Sequence, residues 1–178
     1  MRKKILIFVF GALFSGLVFG MMFGLVQQLS RLSAYDPAVE YAENFSNALS
    51  VGVQPSALVK QETPVDMAKS LSLFSTIYDD KGKIIVSTAT LNGHEPSLPA
   101  GVLDYVRTNG QDRLTWQPEN GVRSAVVVQR YVNGSTSGFV MVGRSLTEVE
   151  NRAQKLLEIA VAGWVISLAL IGAFVWCL

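Results

Sequence analysis

The chain has 178 residues, of which 49% are hydrophobic and only 16% charged, with a mean hydropathy of +0.32. A soluble domain is nearer a quarter charged, so membrane segments are expected. A net charge of +1 offers no basic field for nucleic acid, one cysteine (Cys177) excludes an internal disulfide or Cys-rich metal site, and one histidine (His94) excludes a multi-histidine site.

Residues 1–4 form a short basic tail, with Arg2, Lys3 and Lys4. Ile5 to Val26 follows as 22 residues without a charge. Residues 159–178, Ile159 to Leu178, form a second charge-free run of 20 residues. At roughly 1.5 Å per residue each matches the hydrocarbon core of a bilayer, so both are expected to be transmembrane helices. A cleaved signal peptide would carry a shorter apolar run and a small-x-small site, so the first run is expected to remain as an anchor. The basic tail places the N-terminus in the cytoplasm. Residues 27–158 then lie outside, and the C-terminus returns to the cytoplasmic side of a cytoplasmic membrane. Because the chain stops at Leu178, no cytoplasmic output domain is expected.

Gly16, Gly20 and Gly24 recur every fourth residue in the first span. Such stripes let helix backbones approach closely, either between the two spans or between protomers.

After the first span the chain stays helical. Asp36-Pro37 reads as an N-cap followed by proline at the first helical position, with Val39, Ala42, Phe45 and Leu49 on one face. Val51 to Pro64 breaks that helix, and Pro55 opens a short second one. Leu71 to Tyr78 and Lys83 to Thr88 read as a hairpin around Asp79-Asp80-Lys81-Gly82. Ala100 to Thr108 reads as a helix ended by Asn109-Gly110. Three strands follow, Asp112 to Gln117, Val122 to Val132 and Gly138 to Arg144, with turns at Glu119-Asn120-Gly121 and Asn133-Gly134-Ser135. In the middle one both phases are apolar, so the sheet must be covered on both sides. The fold class is α+β: a five-stranded antiparallel sheet with flanking helices, its core over about residues 65–145.

Ser145-Leu146-Thr147-Glu148 reads as a capping box in which Ser145 and Glu148 each satisfy a backbone amide. It opens an exit helix over residues 146–158 that runs into the second span. Leu146, Val149, Ala153 and Leu156 give this helix a coiled-coil-like seam, and Glu148 and Arg152 an i,i+4 pair.

The first span, the hairpin IYDDKGKIIVST, the three closing strands and the junction VMVGRSLTEVENRAQKLL together resemble the extracytoplasmic PAS-like (single Cache) sensor region of bacterial transmembrane histidine kinases and chemoreceptors. The resemblance covers essentially the whole chain but lacks the kinase part. It implies a sensor or signal-transduction module acting through dimerisation or another membrane signalling subunit. It also implies a small extracytoplasmic ligand between the sheet and the side of the Ala100 helix. Arg113, Trp116, Arg130 and Tyr131 lie on strands that border such a site; which strand phase faces it is left open.

His94 reads as a solvated loop residue, and Asp79-Asp80 with Gly82 as a turn that lacks the further oxygen ligands of a calcium loop. No nucleophile and base pair can be assembled and no phosphate loop is present, so neither enzymatic activity nor a cofactor or metal is expected. The alternative class is an accessory subunit of a membrane complex, its external domain docking protein. A filled core with an exposed apolar patch would favour docking, and a polar concave pocket would favour ligand sensing.

Overall fold

The computed structural model describes residues 2–59 and 63–177. Met1 of the basic tail, residues 60–62 of the expected break and Leu178 of the second span lie outside them. Helix α1 (Arg2–Ser33) and helix α5 (Thr147–Cys177) are each long and apolar enough to cross a membrane. Neither contains a proline, so backbone hydrogen bonding runs uninterrupted through both.

The chain divides into two compact units: Met1–Arg31 with Val149–Leu178, and Leu32–Glu148. The stretches 27–31 and 149–158, assigned by charge to the external domain, cluster in contacts with the long helices of which they are part.

In the second unit, α2 (Asp36–Ser50) follows after Ala34 and Tyr35. The expected N-cap at Asp36 is displaced by one residue. Tyr35 holds the cap position without a side-chain cap, and its carbonyl accepts from Val39 N at 2.9 Å. Helix α1 persists to Ser33, so the bend leaves Asp36 already inside α2, where its carboxylate suits the positive end of the helix dipole. Ala38, Ala42, Ser46 and Leu49 form the buried face, at helical spacing.

The rest of the domain comprises α3 (Pro55–Val59), β1 (Val65–Asp66), β2 (Phe74–Asp79), β3 (Ile84–Ser87), β4 (Ala89–Thr90), α4 (Ala100–Asn109), β5 (Gln111–Glu119), β6 (Val122–Asn133) and β7 (Thr136–Ser145). Five strands form one antiparallel sheet in the order β3-β2-β7-β6-β5. An unexpected second sheet pairs β1 with β4 in parallel.

Alternation distributes the sheet's side chains between two cores. Ile77, Val127, Tyr131, Val140 and Val142 face α2 and are buried with Ala38, Ala42 and Leu49. Phe74, Tyr78, Val126, Val128, Phe139 and Met141 face the other way and pack with Leu103 and Val106 of α4 and with Met67 and Leu98. Helix α4 ends at Gly110, whose φ of +86° suits a residue without a side chain.

Candidate functional site

The junction between β7 and α5 is the most closely tied part of the domain. Strand β7 is central, pairing with β2 on one side and β6 on the other. Leu146 alone separates its last residue, Ser145, from the first residue of α5, Thr147. The buried Leu146 also hydrogen-bonds through its amide to the Arg123 carbonyl at 2.8 Å.

At the expected capping box Ser145 caps the start of the helix. Ser145 Oγ accepts from Thr147 N at 3.3 Å and lies 2.9 Å from Thr147 Oγ1. The amide of Thr147, two residues on, is thus capped where the helix opens. Glu148 directs Oε2 at Arg144 Nη2, 3.0 Å away. Arg144 Nε in turn donates to the Leu71 carbonyl at 3.2 Å. Arg144, which sequence reasoning missed, therefore links the segment before β2, the end of β7 and the first turn of α5.

Val149, Ala153 and Leu156 are half-buried in a stripe that continues through Ala160 and Gly163. A Cβ on Gly163 would stand 2.7 Å from Phe19, and one on Gly11 3.2 Å from Ile171. That stripe thus faces α1 of the same chain, so the partner of the seam here is the first long helix. In the glycine stripe, Gly16 lies against Trp164, its would-be Cβ 3.3 Å from Nε1, whereas Gly20 and Gly24 have nothing within 4 Å. Gly16 is thus in contact with α5, while Gly20 lines a small cleft between the two helices with Leu157, Ala160 and Val161.

The four residues proposed to border a ligand do not converge. Arg113 pairs with Val127 and Trp116 with Ser124, so Arg113 and Tyr131 share the α2 face while Trp116 and Arg130 share the α4 face. Arg113 is exposed and its guanidinium reaches Gln111 Oε1 at 3.4 and 3.5 Å. Arg130 Nη1 donates to the Arg107 carbonyl at 3.0 Å, satisfying the last turn of α4. Its Nε and the hydroxyl of Ser124 are buried without a hydrogen-bond partner among the described residues. Trp116 and Tyr131 are buried in opposite cores.

The space between the sheet and α4 is filled by side chains. Tyr78 is wholly buried there, its hydroxyl donating to Met141 Sδ at 3.8 Å. Burial pushes this phenol up to about 12. At the distal edge Arg107 lies 5.2 Å over the Phe139 ring, and its Nη1 and Nη2 reach Asp104 Oδ1 and the Asp80 carbonyl, each at 2.6 Å. This cluster locks the β2–β3 turn onto α4. A cavity of about 550 Å³ bordering Trp116, one of the proposed ligand residues, lies outside this core. It runs between the loop at Asn92, His94 and Pro96 and the segment from Trp116 to Glu119. Asn92 adopts a φ of +52° and donates from Nδ2 to Glu119 Oε2 at 2.7 Å across its mouth. His94 is exposed, and no group of three metal-ligating side chains forms among the described residues.

Comparison of the chain with protein-family models and with curated proteins finds no match to either.

Proposed function

We propose that the chain is a membrane-anchored signal-input module of the PAS/Cache type, with its α+β domain outside a bacterial cytoplasmic membrane and both termini inside. The observation that carries this reading is the single-residue link between the central strand and α5. A shift of β7 is then delivered to a helix that enters the membrane, with no flexible segment to absorb it. The strand order lends further support, since it sets the first and last strands of the five side by side in the centre, as a PAS-like sheet requires. The module acts through a second copy or another membrane subunit carrying the output.

The filled interior under α4 favours a second reading, an accessory subunit whose domain docks a protein. On either reading the filled core points to the outer surface, including the cleft beside Trp116, or to the junction as the place where a stimulus acts.

The test is twofold. In a Cys177→Ser background, His94→Cys should react with a membrane-impermeant thiol reagent on intact cells. Reaction only after permeabilisation would overturn the orientation and the input role together. Co-purification of the full chain in mild detergent should then yield a membrane protein with a cytoplasmic effector domain. A complex without any signalling component would favour the accessory reading.

A further inference from the structure

We propose that the cleft between Lys4 and Trp176 holds the headgroup of an anionic phospholipid, an inference that rests on the membrane-spanning reading of α1 and α5. Lys4 is in the first turn of α1 and Trp176 in the last turn of α5, yet both line one cavity of about 370 Å³. Gly172 and Val175 complete its wall.

Among the described residues this end is basic and carries no carboxylate side chain. The first turn of α1 carries Arg2, Lys3 and Lys4 and no acidic residue. The nearest carboxylate along α5 is Glu158, 18 residues before Trp176, which is about 27 Å of helix. Along α1 the first acidic residue is Asp36, beyond the far end of that helix. Among the described residues no carboxylate side chain of either helix comes near Lys4, so the basic turn is open to an anion from outside the protein.

The surroundings select a lipid over a free ion. Trp176 is 87% exposed, and an indole of this kind favours the headgroup level of a bilayer, where its ring meets apolar matter and its N–H meets phosphate or glycerol oxygen. Gly172 leaves the floor of the cleft open: a Cβ there would touch only Phe8, at 3.6 Å. Between the same two helices, Leu6, Phe10, Gly11, Ile171 and Phe174 line a wholly apolar groove of about 710 Å³, a surface suited to acyl chains. Basic clefts between membrane helices are suited to acidic headgroups, and each basic residue contributes about a fivefold gain in binding.

The full chain would be reconstituted in nanodiscs of phosphatidylcholine with an equal share of phosphatidylglycerol, extracted gently, and its retained lipids read by native mass spectrometry. Phosphatidylglycerol should be retained in preference to phosphatidylcholine. Lys4→Gln should lower that preference about fivefold, the contribution of one basic group. Gly172→Leu should abolish it by filling the cleft without changing charge, while Lys3→Gln should act more weakly than Lys4→Gln. Equal retention of the two lipids, or equal effects of Lys3→Gln and Lys4→Gln, would leave only general surface charge and overturn the proposal. Displacement of the lipid by millimolar inorganic phosphate would assign an ion site and overturn it too. A chain that fails to enter nanodiscs at all would instead sink the membrane-spanning reading on which the proposal rests.

Discussion

Arg144 and Glu148 form an ion pair of 3.0 Å that spans the end of the last strand and the first turn of α5. Both side chains are about one-third exposed, so the pair by itself contributes at most about 1 kcal/mol. Its position matters more than its strength, because Arg144 also holds the Leu71 carbonyl. Arg144→Ala should therefore loosen two elements at once. The expected result is faster hydrogen exchange at the amides of residues 147–150 and in the segment before Phe74. Exchange unchanged at both places would show that Arg144 is a surface charge with no mechanical role. Ser145→Ala, which removes the side-chain acceptor at Thr147 N, should cost about 0.5–2 kcal/mol in domain stability.

Tyr78 makes the domain sensitive to alkali. Its phenol stands at about 12 in the fold against an ordinary value of 10.0, chiefly through burial. A group raised in this way contributes stability that is complete below pH 10 and is lost as pH climbs toward 12. The loss over that window is of the order of 2–3 kcal/mol. Tyr131 is shifted in the same direction by burial and adds to the same limb. Denaturant midpoints between pH 9 and 12 should fall steeply for the natural chain and less steeply for Tyr78→Phe. Identical slopes would mean that the phenol is not desolvated as the structure places it.

Gly143 sits on β7 where a side chain would occupy the space of the Phe74 ring. Gly143→Ala should force that ring out of a well-packed position, a change that typically costs about 1–3 kcal/mol. Gly101→Ala meets nothing within 4 Å in α4 and gains helix propensity, so thermal unfolding should move in opposite directions for the two. A neutral Gly143→Ala would show that Phe74 has room to turn.

The two glycines Gly16 and Gly20 offer a direct comparison. Gly16→Leu must displace Trp164, whose indole also reaches the Ala12 carbonyl at 3.5 Å. Gly20→Leu places its side chain in the small open cleft lined by Leu157, Ala160 and Val161, with no atom within 4 Å of the new Cβ. In detergent, Gly16→Leu should weaken the pairing of α1 with α5, measured by the yield of a disulfide between cysteines placed at 19 and 163, and Gly20→Leu should not. Sensitivity at Gly20 alone would mean that the open part of this same face, one turn along from Gly16, is the packed part, against a second copy.

How far these features are legible in sequence depends on period and length. The five-stranded sheet follows from alternation: Val126 and Val128 fall in one phase, Val127 and Tyr131 in the other, and each phase meets its own helix. Strands β1 and β4 are two residues each, too short to carry a period. The ligand-bordering group failed on the same arithmetic that succeeded for the core. Arg130 and Tyr131 are adjacent, and Arg113 and Trp116 are three apart, so strand geometry sends each pair to opposite faces. Arg144 could not be singled out, because its role depends on the Leu71 carbonyl, 73 positions away in the chain. The seam on α5 was visible as a spacing, whereas its partner became clear only from the contact of Gly163 with Phe19 of α1.

The place of β7 between β2 and β6 has a further consequence, for the order of assembly. Strands β5, β6 and β7 are joined by short turns and can pair as they leave the ribosome. Strand β2 can pair early only with β3, since its central partner lies beyond β3, β4, α4, β5 and β6. Closing so long a loop carries an entropic cost before any contact is gained, and such pairing is slow. Until Gly138 to Gly143 have been made, Phe74, Ile77 and Tyr78 lack the strand against which they are buried. The β2–β3 hairpin meanwhile presents an unpaired edge to other nascent chains. A ribosome stalled between α4 and β7 would therefore hold the most aggregation-prone form of this protein.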